Sequence, residues 1–194
     1  MNELSLIDIS FPNEHTNRCQ LSVQADLQSF SYSIYDPEQN KHVGFRKYFL
    51  QANRSVETFL KQLEELLRND DLLGLPYASS VFMFLSQKST LIPDAYFDQR
   101  VLKSYLEFNH DLEALDEIHY NYIPSVDAYN VFALHTYVAS VVSKYFKNVR
   151  FCHQALPIIE KITECAATRQ KQLMSANINH HFFDVTLSFS GNLK

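Results

Sequence analysis

Polar and apolar positions alternate through the first part of the chain. Cys19, Leu21, Val23 and Ala25 fall on one side, and Gln20, Ser22 and Gln24 on the other. That period of two predicts a strand with one buried face over 19–25. After a turn at Asp26-Leu27-Gln28 the alternation resumes, with Phe30, Tyr32 and Ile34 opposed to Ser29, Ser31 and Ser33. Asp36-Pro37-Glu38-Gln39-Asn40 has turn chemistry, and residues 42–50 predict a third strand. Three strands with tight connections make an antiparallel meander.

The period then changes. Val56, Phe59, Leu60, Leu63, Leu66 and Leu67 form a helical stripe behind the N-cap candidate Ser55. Val81–Leu85 is a continuous apolar run, suited to a strand covered on both faces. A second helix is expected to open at Pro93 and carry Phe97, Val101, Leu102, Tyr105 and Leu106. Residues 115–123 alternate again. A third helix is predicted from Leu134 to Phe146, a short strand at Val149–Cys152, and a fourth helix near Pro157. The last segment predicts one long strand over 178–189, with Phe183, Val185, Leu187 and Phe189 sharing the face expected to be buried. Ser190-Gly191-Asn192 ends it as a hairpin turn. The order βββ-α-β-α-(β)-α-β-α-β predicts an α/β fold of ribonuclease-H type: three antiparallel strands plus parallel strands in a mixed sheet, with helices on its faces.

The stretches Leu21–Tyr35, Leu91–Phe97, Tyr120–Phe132, Phe151–Pro157 and Phe182–Lys194 carry a resemblance. On them the chain resembles an uncharacterised bacterial family with an actin-like ATPase fold. The resemblance implies a first domain over 1–175 and, over 176–194, the opening strand of a second, similar domain. It also implies where phosphate chemistry would lie. Actin-like ATPases hold phosphates on acidic, glycine-rich hairpin turns, with an aspartate that positions Mg²⁺ through water. The matching turn here is Ala25–Ser29, so Asp26 and Ser29 are the candidates, with Asp184 at the second opening.

Composition weighs against that chemistry. The chain has three glycines, Gly44, Gly74 and Gly191, in 194 residues, where average usage of roughly 7% would give about thirteen. None is close enough to another to form a phosphate-binding GxGxxG or GxxxxGK[ST] loop. The middle of the first strand carries Gln20, Ser22 and Gln24 where ribonuclease-H-like nucleases need an aspartate for two-metal chemistry. His180 and His181 are neighbours on a predicted strand and point to opposite faces, which excludes joint ligation of one metal. Cys152 and His153 fail as a nucleophile–base pair for the same reason. Cys19, Cys152 and Cys165 are widely spaced and form no CxxC, as in a reducing compartment. Lys and Arg number 17 against 22 Asp and Glu, without a basic cluster, so no nucleic-acid partner is expected. No apolar run reaches the roughly 18 residues of a membrane helix.

The expectation is a cytoplasmic, non-catalytic scaffold without a cofactor. It would act on a protein partner, or self-associate through the C-terminal strand. The alternative is a nucleotide-binding protein using ATP and Mg²⁺ at Asp26, Ser29 and Asp184.

Overall fold

The computed structural model describes residues 2–8, 12–50, 55–169, 171–179 and 182–193. His180 and His181 lie outside them. The chain divides into two compact units: residues up to Leu85 with His135–Phe151, and Ser86–Leu134 with the chain from Cys152 onward.

The first unit is built on a six-stranded sheet. Its strands, numbered along the chain, are β1 (Asn2–Ile7), β2 (Gln20–Ala25), β3 (Ser29–Asp36), β4 (Lys41–Phe49), β5 (Ser79–Phe84) and β9 (Val149–Cys152), in the order β1-β4-β3-β2-β5-β9. The expected meander is present, because β2 pairs antiparallel with β3, and β3 with β4. β5 then runs parallel to β2, with Val23 opposite Phe82. β1, which has no counterpart among the sequence-based expectations, adds antiparallel to β4 at the edge.

Alternation becomes burial as the pattern requires. Leu21, Val23, Ala25, Phe30, Tyr32, Ile34 and Phe82 are all at most 3% exposed, while Gln20, Ser22 and Gln24 face outward. Helix α1 (Val56–Asn69) lays Phe59, Leu63, Leu66 and Leu67 on that buried face, with the Phe59 ring edge-on to Phe84. Helix α3 (Thr136–Tyr145) contacts α1 and buries Val138, Ala139 and Val142. Each buried Phe, Leu or Val side chain here contributes about 1.5–3 kcal/mol.

A buried polar network fixes the end of α1. The Asp70 side chain is 1% exposed. It accepts from Tyr32 at 3.0 Å, from Tyr48 at 2.5 Å, from the N–H groups of Leu72 and Leu73, and from Arg46 at 3.1 Å. Burial pushes the Asp70 carboxyl up, but hydrogen bonds from Tyr48, the Leu73 and Leu72 backbone and Tyr32 outweigh it and hold the group below the ordinary carboxylate range. Burial first, and Asp70 second, push the Tyr32 hydroxyl up, so it stays a donor.

Among the described residues the second unit holds two small sheets. Strands β6 (Ser89–Pro93), β7 (Asp116–Ile123) and β8 (Ala128–His135) lie in the order β6-β8-β7. Pro93 therefore closes an edge strand, where its missing N–H costs no ladder bond, and is the N-cap of a 3₁₀ turn, not of an α-helix. The helical segment beyond it is two 3₁₀ turns and the short α2 (Leu102–Glu107), with Leu106 packed on Val131 and Ala133. The second small sheet is β10 (Gln172–Ile178), β11 (Phe183–Phe189) and β12 (Asn192–Leu193) in that order. The single long strand expected over 178–189 is thus broken into a hairpin. Helix α4 (Ala155–Arg169) packs against all three strands.

The face of β11 is the reverse of the expectation. Phe183, Val185 and Phe189 are 68%, 51% and 49% exposed, while Ser188 is fully buried. Asp184, Thr186 and Ser188 are on the covered side because α4 packs there. Ser190 and Gly191 both have positive φ, 49° and 88°, as a two-residue hairpin turn of type I′ demands.

Candidate functional site

The turn Ala25–Ser29 joins β2 to β3. The N–H groups of Gln28 and Ser29 each donate to Asp26 Oδ1 at 2.7 Å. The Ser29 hydroxyl donates to Asp26 Oδ2 at 3.2 Å, and the Asp26 N–H donates to the Ser29 carbonyl at 2.9 Å. The two residues expected to share this site do meet. They meet in an aspartate turn that consumes its own donors. A phosphate needs free backbone N–H groups converging on it. Here the Asp26 carboxylate accepts the Gln28 and Ser29 N–H groups.

Asp184, the third candidate, lies in the second unit on β11. Its Oδ2 accepts from Asn177 Nδ2 at 3.2 Å, across the directly opposed pair of β10 and β11. No group of three or more His, Cys, Asp or Glu arranged to hold a metal is found among the described residues.

A further polar constellation of the second unit does not stand out from sequence patterns. It gathers at the start of α4 around Ser86. His153 Nε2 donates to the Ser86 carbonyl at 2.9 Å, and His153 Nδ1 accepts the Ala155 N–H at 3.2 Å. Gln154 takes the Ser86 N–H on Oε1 at 3.2 Å and returns Nε2 to the Ser86 carbonyl at 2.5 Å. The His153 N–H donates to Asn121 Oδ1 at 3.1 Å. This is the neutral imidazole with its proton on Nε2. Burial pushes the His153 pKa down to about 4, against opposing pulls from the Ser86 carbonyl and Asp184. Every polar atom of the His153 ring and the Gln154 amide head has a partner here, so the arrangement locks Ser86 to the start of α4 and leaves no free base. The local signal for its helix end is an acceptor-bearing pair placed directly before a helix start, as His153 is before Ala155.

The outer face of the β10–β11 hairpin is apolar. Met174 and Ile178 are 72% and 82% exposed, and register places Met174 opposite Leu187, Ala176 opposite Val185 and Ile178 opposite Phe183. Because Phe183 is exposed, Phe183→Asp is expected to change the unfolding free energy by less than about 0.5 kcal/mol. Binding of an apolar dye should fall at the same time. A cooperative loss of stability in a urea titration would contradict this placement.

The model of a family described as a protein of unknown function, DUF3822, matches residues 8–194. The chain belongs to the DUF3822 family. A crystal structure from Bacteroides thetaiotaomicron, of a protein with actin-like ATPase fold and unknown function, matches the DUF3822 chain with a TM-score of 0.87 at 19% identity. The match covers 94% of this chain and 70% of that one. The PilM-PilN type IV pilus biogenesis complex matches with a TM-score of 0.52 at 8% identity, over 90% of this chain and 59% of that one. No curated protein sequence matches the DUF3822 chain. The DUF3822 chain has the actin-like ATPase fold. Among the described residues no helix is long and apolar enough to cross a membrane.

Proposed function

We propose that this DUF3822 chain is a non-catalytic actin-like scaffold of the cytoplasm, working by protein–protein contact and taking no nucleotide. The observation that carries the reading is the Ala25–Ser29 turn, in which Asp26 accepts the two N–H groups that a phosphate would require. The exposed apolar face of β10 and β11 supports the protein-contact half.

Thermal unfolding with Mg-ATP tests it. A ligand at a hundredfold its dissociation constant adds about 2.7 kcal/mol, which shifts the midpoint of a domain this size by roughly 5–10 °C. The expected result with millimolar Mg-ATP is no shift. A rise of several degrees, removed by Asp26→Ala, would establish the alternative of a nucleotide-binding protein.

A further inference from the structure

β10 is the end strand of its sheet. The Asn179 N–H donates to the Phe182 carbonyl, and the Ser190 N–H to the Lys171 carbonyl. Residues 171 and 179 are therefore the bonded positions of the antiparallel ladder, and the alternation makes 173, 175 and 177 bonded as well. Gln172, Met174, Ala176 and Ile178 then turn their N–H and C=O groups to the free edge. β10 has neither a charge nor a proline, the two common devices that protect such an edge.

Beside this edge runs a groove of about 530 Å³ between α4 and β10. Its apolar lining includes Pro157, Ile158, Ile162 and Leu173. Its charged lining residues are Lys161 and Arg169, both cations. Lys161 is shared with Glu164 at 2.8 Å.

We infer that the β10 edge and this groove receive an extended segment of another protein, apolar at alternate positions and acidic at the others. The inference rests on the reading of the chain as a protein-contact scaffold, and adds the chemistry of the partner. Main-chain hydrogen bonds to the outward groups of Gln172, Met174, Ala176 and Ile178 supply affinity, as in strand addition to other open sheets. Side chains on the outer side of the added strand extend the row of Met174, Ala176 and Ile178. Those on the inner side meet α4, where carboxylates complement Lys161 and Arg169. A second copy offering its own β10 would bring no carboxylate to those cations, since Gln172–Ile178 contains none.

The probe is a capped eight-residue peptide of alternating valine and glutamate, titrated into the ¹⁵N-labelled chain. Saturable shifts are expected at the Gln172, Met174, Ala176 and Ile178 amides. Ala176→Pro removes an outward N–H and no ladder bond, so the fold stays and binding is lost. Arg169→Glu weakens binding about fivefold or more, and a peptide N-methylated along one edge does not bind, so the test does not depend on the proline variant. Absence of saturable shifts up to about 1 mM peptide, or equal binding of a valine–lysine peptide, would overturn the inference. So would a dimer by light scattering whose β10 amides are already protected. These outcomes are independent of the Mg-ATP melt, so either reading can fail while the other stands.

Discussion

Replacing Asp70 by alanine should lower the unfolding free energy by about 3–5 kcal/mol. Five donors converge on that carboxylate: two tyrosine hydroxyls, two backbone N–H groups and Arg46. Removing it leaves Arg46, 16% exposed, beside unpaired donors in the interior. Asp71 and Glu3 also reach the guanidinium, but they are exposed and do not reach the tyrosines. Tyr48→Phe removes one bond to a charged acceptor and should cost about 1.5–3 kcal/mol. Urea midpoints at pH 7 measure both. If Asp70→Ala lowered stability by less than Tyr48→Phe, the network would not be centred on the carboxylate.

Acid should destabilise the chain through His153. Its imidazole titrates near pH 6.5 when unfolded and about 4 when folded, because burial disfavours the charged form. Between those values the unfolded chain binds a proton that the folded one refuses, so stability is full above pH 6.5 and falls as the pH drops toward 4. A difference of about 2.5 pH units corresponds to roughly 3 kcal/mol. His119, also lowered mainly by burial, adds to the slope in the same direction. His153→Leu isolates the first contribution. The variant is less stable at pH 7, since Ser86 loses a donor and Ala155 an acceptor, yet it should lose less on going from pH 7 to 4.5. Parallel pH profiles for the two proteins would refute the assignment. A ¹⁵N titration of the folded protein should show a neutral His153 ring at pH 5.

Much of the first unit is legible because its signals are local. In β2 and β3 every second residue is buried, and a period of two is visible without any knowledge of neighbours. The stripe of α1 is equally plain. β8 is the opposite case. Ala128 and the five consecutive residues from Asn130 to Leu134 are buried, with Tyr129 between them partly exposed, so its sequence carries no alternation and its end reads as the start of a helix. β1 is hidden for another reason. Leu4 and Leu6 remain 47% and 63% exposed, so pairing with β4, and not burial, makes it a strand.

The candidate site divides in the same way. Asp26 and Ser29, three apart across a turn, were identifiable as partners. That Asp26 would take the Gln28 and Ser29 N–H groups depends on the angle at which β2 and β3 enter the turn. The His153–Gln154 grip on Ser86 spans 67 and 68 positions in sequence, and no local pattern encodes a contact at that separation.

Sequence by itself determined the elements of the meander, the first helix, the absence of glycine from the Ala25–Ser29 turn, and which residues of β11 share a face. Tertiary structure decided which of those faces is covered. Alternation sorts side chains into two sets, but only the helix that packs on a strand selects the buried one. In β11, α4 took the side of Asp184, Thr186 and Ser188 and left Phe183, Val185 and Phe189 to the surface.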